Sequence, residues 1–400
     1  MGWRGEGDGG TTWGVNDGME ARAQLRDARR VVVKVGSRAL VRRDGSLDTA
    51  RMRKLADDWC GWMKRTGGEL IVVSSGAIAC GLRSLGIKRR PTDLASLQMA
   101  AAVGQSRLMA AWEGIFARKK RKIAQVLLTH ADVRSRERYL NALRSFGKLL
   151  ENGVVPIVNE NDVVATEEIK FGDNDALASR TAMLAGAQAL VLLTTVNGFL
   201  ADAGGGRRRR VGVLPAVTER ELGQAKGKGS AYSTGGMASK LGSAAEAAAA
   251  GTDVVIANGR KDGAFSAVMD GKDEGTLIPA AAEAGELNLL RRWVRFFHRP
   301  EGALRVDAGA EAALRGGRKS LLPVGVTGVE GRFAPGDLVE VRGPAGRLVG
   351  HGLSRYSSET MRLLAGMNTE GVRGKLGATA PEEAIHVDYL ILADQETGKE

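Results

Sequence analysis

Arg30-Val-Val-Val-Lys-Val-Gly-Ser37 sets a six-residue, β-prone run directly before a glycine and a small polar residue. An apolar run of this length, too short for a helix, reads as a strand buried on both faces. Working outward, runs of similar length and composition recur at residues 69–73, 154–158, 189–194 and 253–257. Between them the apolar residues shift to three- and four-residue spacing over 47–66, 94–117, 136–151 and 176–186, which predicts helices. Alternating strands and helices build a three-layer αβα sandwich around a mainly parallel sheet. In such a fold the chemistry gathers at the carboxyl ends of the strands.

The pattern changes after Arg299-Pro300. Short β-rich runs at 321–326, 337–341 and 347–351 then alternate with Gly and Pro turns, which predicts a small β-barrel-like domain over 302–380. Residues 29–298 form the larger domain, 381–400 read as a frayed tail, and 1–28, rich in Gly, Asp, Thr and Arg, read as disordered, with Met19 as an alternative start. Two domains suit 400 residues. Only Cys60 and Cys80 occur, too few for a disulfide framework, so a reducing compartment and a cytoplasmic location are expected. No apolar run approaches membrane-spanning length. The net charge of +12 favours anionic partners, and RNA stays among them, although 4% aromatic residues leave few stacking platforms. The cluster Arg207–Arg210 reads as a solvated loop.

Four segments carry candidate chemistry. Lys34 stands at a strand end with Gly36 two residues on, where backbone can approach a phosphate closely. The turn Ser74-Ser75-Gly76-Ala77 leads from a strand into a helix, and its free N–H groups suit a carboxylate or, equally, a simple serine cap. Asn159-Glu-Asn-Asp162 and Gly172-Asp-Asn174-Asp175 concentrate acids and amides beyond what turns require, enough to hold an ammonium group or to position lysines. Thr234-Gly235-Gly236-Met237-Ala238-Ser239-Lys240 pairs adjacent glycines with a lysine one helical turn on, a phosphate-handling pattern without Walker spacing.

In this order the four segments resemble the amino acid kinase family, and within it the branch that phosphorylates the side-chain carboxylate of L-glutamate. The resemblance also takes in Ala-Val-Gly104-Gln-Ser-Arg-Leu108 and Ile169-Lys-Phe-Gly-Asp173. The tail, through Val306-Asp-Ala-Gly, Ser320-Leu-Leu-Pro and His351-Gly-Leu-Ser-Arg-Tyr-Ser357, is similar to the PUA domain, a small barrel associated with RNA modification. The resemblance implies ATP as co-substrate, with Mg²⁺ bridging its phosphates and no metal cage of protein ligands. It implies that Lys34 and Lys240 flank the transferred phosphoryl group while Asp175 holds both ammonium groups. Ser75, Gly76, Ala77 and Asn174 would receive the α-carboxylate of glutamate, and Asp162 its α-ammonium. Lys34, Gly36, Thr194, Thr195 and the 234–240 segment would line the ATP pocket.

Where relatives commonly show Thr-Asp, this chain has Thr194-Thr195, so the adenine-side contacts carry over less fully than the lysines. Feedback inhibition by proline, a separate glutamyl phosphate reductase acting next, a dimeric or tetrameric homo-oligomer and RNA contact through the PUA domain are further implications. An RNA-binding protein acting through its tail, and a family member specific for aspartate or N-acetylglutamate, are the competing readings.

Overall fold

The computed structural model describes residues 15–134, 136–164, 174–205, 207–225, 236–281, 300–317 and 319–393. The chain divides into two compact units, residues 1–129 with 143–284, and residues 130–142 with 285–400.

The first unit is built on strands β1 (Arg30–Val35), β2 (Glu69–Ser74), β3 (Ile123–Leu128), β4 (Val155–Glu160), β5 (Ala189–Thr194), β6 (Leu200–Asp202), β7 (Arg208–Arg210), β8 (Asp253–Asn258) and β9 (Thr276–Ile278). Seven of them form one sheet in the order β3-β4-β2-β1-β5-β8-β9, parallel throughout except for β9 against β8. In this unit the strands expected from the sequence appear within two residues of their predicted ends; in the second unit the run expected at 321–326 is instead a turn at Pro323–Gly325 leading into a strand that begins at Val326, because Pro323 cannot donate to a ladder. Strand β3 was missed, because it follows five basic residues, Arg118–Lys122, and is only half buried at the sheet's edge.

Strand β1 explains the architecture's centre. Val31, Val33 and Val35 enter the main apolar core, so Lys34 points to the other face. To one side of β1 lie β2, β4 and β3, and to the other β5, β8 and β9, so the strand order reverses here. A crevice opens outside the strand ends at such a point.

The helices of this unit are α1 (Val15–Gln24), α2 (Ser37–Leu40), α3 (Thr49–Thr66), α4 (Ala77–Ser84), α5 (Leu94–Ala117), α6 (His130–Arg134), α7 (Arg136–Glu151), α8 (Asn174–Ala185), α9 (Glu219–Ala225), α10 (Met237–Ala249) and α11 (Ala264–Met269), with α6 and the start of α7 grouped in the second unit. Two close crossings matter for the site. Helices α4 and α5 touch backbone to backbone: a Cβ on Gly81 would lie 1.7 Å from the Ala100 carbonyl oxygen, and one on Gly104 1.8 Å from that of Ala77. Helix α8 packs on α10, with small buried residues on both, Ala178, Ser179 and Ala182 against a partner bearing Ser243, Ala244 and Ala247.

The expected disorder of residues 1–28 does not hold from Val15 on. Residues 1–14 lie outside the described set, but α1 is followed by a turn whose Leu25 is fully buried. Arg22, 4% exposed, donates to the carbonyls of Gly212, Lys272, Glu274 and Gly275 at 2.7–3.1 Å. Carbonyl partners, invisible to hydropathy, are what order a helix of this polarity. The Arg207–Arg210 segment is likewise less free than a solvated loop, for Arg208–Arg210 pairs with Leu200–Asp202 and Arg210 binds Asp273 at 2.5 Å.

The second unit contains a five-stranded sheet, β10 (Gly302–Val306), β11 (Val326–Gly331), β12 (Leu338–Arg342), β13 (Leu348–Leu353) and β14 (Leu390–Leu392), ordered β11-β10-β12-β13-β14. Helices α12 (Ala308–Arg315), α13 (Ser358–Leu364) and α14 (Thr369–Leu376) accompany it. The tail expected to fray from 381 is part of this core: Ala384 and Ile385 are fully buried, and β14 pairs with β13. Flanking acids at Glu382, Glu383 and Asp388 masked that strand's apolar alternation. Residues 394–400 lie outside the described set.

Candidate active site

At the carboxyl end of β1, Lys34 Nζ lies 2.7 Å from Asp175 Oδ1, and Lys240 Nζ lies 2.7 Å from Asp175 Oδ2. The three residues are 6%, 1% and 7% exposed. Asp175 is 141 positions from Lys34 and 65 from Lys240 in sequence, and the three come from three elements. Lys34 is the inward residue of the central strand, Asp175 sits in the first turn of α8, and Lys240 in the first turn of α10. The small-residue α8–α10 contact brings the last two together. Burial pushes the Asp175 carboxyl up, but the two ammonium groups outweigh it and hold the group below the ordinary carboxylate range. Asp175 thus gathers two buried ammonium groups on its two oxygens, a cationic pair that suits an anion.

The turn at Gly36 runs beside this group, since a Cβ on Gly36 would stand 3.7 Å from Lys34 Nζ. Gly36 N–H donates to Leu193 O at 3.4 Å, which ties this turn to β5. Thr194 and Thr195, half buried, follow at that strand's end, and the Thr194 carbonyl accepts from Gly259 N at 2.8 Å. Gly236 caps α10 in an extended conformation, and Met237, Ala238 and Ser239 line its first turn, half buried. Thr234 and Gly235 lie outside the described residues.

A second cluster abuts the lysines. Ser75 directly follows β2 and precedes Gly76, whose φ of 111° is closed to ordinary side chains and turns the chain into α4. The first-turn N–H groups of α4, Ala77 included, are available to a ligand because their intrahelical acceptors do not exist. Asn174 Nδ2 lies 2.8 Å from Ser75 Oγ and 3.0 Å from Asn159 Oδ1, and Asn159 in turn donates to Gln105 Oε1 at 2.8 Å. Asp162, 8% exposed, stands two residues beyond β4 and outside this hydrogen-bonded set. Burial, and then the nearby Glu160 carboxylate, push its pKa up to about 7.

The structure therefore brings Lys34, Asp175, Lys240, Asn174 and Ser75 into one connected group, with Gly36, Gly76 and Ala77 at its edge. Gln105 and Asn159 join the group although the sequence assigns neither a role. Their signal was present in the runs Val-Gly104-Gln and Asn159-Glu-Asn, but an amide among acids does not announce which atom it offers.

The sequence profile of the Amino acid kinase family matches residues 29–258, and that of the PUA domain residues 302–376. The chain is 42% identical to the glutamate 5-kinase of Myxococcus xanthus over 374 residues, 92% of this chain and 97% of that protein. It is 43% identical to the glutamate 5-kinase of Streptomyces coelicolor over 378 residues, 93% and 98% of the two chains. Among solved structures, the UMP kinase of Bacillus anthracis aligns with a TM-score of 0.44 at 17% identity, covering 64% of this chain and 97% of that one. With a match of this extent over both parts, the chain belongs to the amino acid kinase family, in its glutamate 5-kinase branch, and carries a PUA domain.

Proposed function

We propose that the chain transfers the γ-phosphoryl group of ATP to the side-chain carboxylate of L-glutamate, giving L-glutamyl 5-phosphate, the first step of proline biosynthesis. The observation that carries this reading is the buried Lys34–Asp175–Lys240 bridge at the strand-order reversal, joined through Asn174 to Ser75 at the turn into α4.

The acceptor carboxylate is already ionised at pH 7, so no general base is required and catalysis reduces to alignment and charge stabilisation. One carboxylate oxygen forms a bond to the γ-phosphorus as the bond to the β-phosphate oxygen breaks, and ADP leaves with that electron pair. Lys34 and Lys240 flank the phosphoryl oxygens and offset their charge, while Asp175 keeps the two ammonium groups in register. Ser75 and the Ala77 N–H receive the α-carboxylate, Asn174 assists by holding the Ser75 hydroxyl in place, and Asp162 takes part in receiving the α-ammonium. Gly36, Gly76, Thr194, Thr195 and the 234–240 segment border the nucleotide.

Both Asp175 oxygens are engaged by lysines, and among the described residues no group of three potential ligands gathers around a cation position. Mg²⁺, brought in with the nucleotide, would supply charge neutralisation at the phosphates. Proline carries the same carboxylate and ammonium head as glutamate, so we extend the proposal to feedback inhibition at this pocket, with a separate reductase consuming the acyl phosphate.

RNA binding as the main activity is less well supported. Residues 300–400 contain 12 lysines and arginines against 14 aspartates and glutamates, so the PUA part is slightly acidic and the +12 excess resides in the first 299 residues. Among the described residues no helix is long and apolar enough to cross a membrane.

The test is hydroxylamine trapping with ATP and Mg²⁺. L-Glutamate is expected to give hydroxamate, with L-aspartate and N-acetylglutamate giving little. Turnover of either control in preference to glutamate would overturn the acceptor assignment.

A further inference from the structure

The amides of Gln105, Asn159 and Asn174 form a chain with a fixed direction. Asn174 Nδ2 lies 3.3 Å from the Ser74 carbonyl oxygen, and a carbonyl only accepts, so this end of the amide is its NH₂. The same nitrogen donates to Asn159 Oδ1, which leaves Asn159 Nδ2 to donate to Gln105 Oε1. One backbone carbonyl thereby orients three side-chain amides. Both ends of the chain are open: Gln105 Nε2 and Asn174 Oδ1 are buried atoms with no hydrogen-bond partner.

A buried donor and a buried acceptor left open in one network are costly unless a ligand fills them. A zwitterionic head group fits both, its carboxylate taking the donor and its ammonium the acceptor. The helix that carries Gln105 lies close to the first turn of α4, since a Cβ on its neighbour Gly104 would fall 1.8 Å from the Ala77 carbonyl oxygen. An amide NH₂ only donates, so of the two head-group charges Gln105 Nε2 suits the carboxylate.

We propose that Gln105 is a specificity-determining residue whose Nε2 donates to the α-carboxylate of the amino acid acceptor, while Asn174 Oδ1 accepts from its α-ammonium. The inference rests on the glutamate reading above and deepens it by making a free α-carboxylate a requirement read by a named atom. An acceptor lacking that group leaves the Gln105 donor unpaired and gains nothing from it.

The test compares the full-length wild type with Gln105→Met and Gln105→Glu. The varied ligands are L-glutamate, as substrate, and 4-aminobutyrate, which keeps the side-chain carboxylate and the amine but has no α-carboxylate, as competitor. Gln105→Met is expected to raise the KM for L-glutamate by about 10- to 100-fold, the loss of one hydrogen bond to a charged group, with kcat and the KM for ATP within about threefold. Gln105→Glu keeps an oxygen for Asn159 and so preserves the amide chain, yet it sets a carboxylate against the substrate's and is expected to raise that KM further. The inhibition constant of 4-aminobutyrate should be the same in all three proteins.

A KM for glutamate within threefold of wild type in both variants, or an equal weakening of glutamate and 4-aminobutyrate, would overturn the assignment of Gln105 while leaving the reaction in place. Absence of glutamyl hydroxamate from the wild type itself would instead remove the acceptor reading, and this inference with it.

Discussion

Replacing Asp175 by asparagine removes the negative charge that two buried ammonium groups share while keeping the shape of the side chain. In the native site each ammonium lies 2.7 Å from its own carboxylate oxygen. Nitrogens on opposite oxygens of one carboxylate are on the order of 6 Å apart, where like charges at an effective dielectric of 20 repel by about 3 kcal/mol. In Asp175→Asn that repulsion is uncompensated and two charge-assisted hydrogen bonds weaken, so a loss of about 3–5 kcal/mol of stability is expected. At about 2–4 °C per kcal/mol for a unit of this size, the Tm should fall by about 6–20 °C. Turnover should fall by about 10²- to 10³-fold, because neither lysine is then held at the phosphoryl oxygens. Calorimetry and hydroxamate formation read the two effects separately. Adding Lys240→Met to Asp175→Asn removes the repulsion, so stability should largely return while activity stays low. A single variant with Tm within 2 °C and kcat within threefold of wild type would refute the reasoning.

Other consequences follow from the same geometry. With Asp162 pushed up to about 7, its carboxylate is available to an ammonium only above that value, so the KM for glutamate should rise by about tenfold for each pH unit below 7 and stay level above it; a flat profile in the wild type, or the same slope in Asp162→Asn, would remove Asp162 from ammonium recognition. On stability the sign is opposite for the two acids. The raised Asp162 makes the folded state bind the extra proton between about 4 and 7, so its contribution declines as pH rises through that window, whereas the lowered Asp175 stabilises above about 4 and loses that contribution as pH falls through its folded value. Gly104→Ala drives a methyl into the Ala77 carbonyl and should cost about 3 kcal/mol or more together with a raised KM for glutamate, checked by urea unfolding and kinetics. Arg22→Met strands four carbonyls around residues 212 and 272–275 and should cost about 2–4 kcal/mol in urea unfolding; an unchanged midpoint would mean that α1 does not clamp that turn.

How much of this was legible in the sequence depended on the kind of interaction. Strand β1 is plain because four of its six residues are valines and a glycine stops it, and Lys34 stands out against that background. Asp175 and Lys240 were picked for their neighbourhood of acids and glycines, and their meeting through the small faces of α8 and α10 is a tertiary event that a one-dimensional pattern implies only through resemblance. Arg22 and the 384–392 strand were misread, since their order comes from carbonyl acceptors and from pairing with β13 rather than from a long apolar period. Gln105 was quoted as part of a motif yet given no role, because its significance lies in which end of an amide is left unpaired, and that is set by the Ser74 carbonyl 31 positions away in sequence.

The central claim is that a carboxylate oxygen of glutamate attacks the γ-phosphorus within the Lys34–Asp175–Lys240 site. It is tested most directly with L-glutamate carrying ¹⁸O in its side-chain carboxylate, ATP and Mg²⁺, trapping the product with hydroxylamine. Hydroxylamine attacks the acyl carbon and releases phosphate with the bridging oxygen attached, so the account predicts one ¹⁸O in each phosphate liberated alongside hydroxamate. Phosphate free of ¹⁸O would mean that the oxygen joined to phosphorus came from elsewhere, and the proposed reaction would be contradicted.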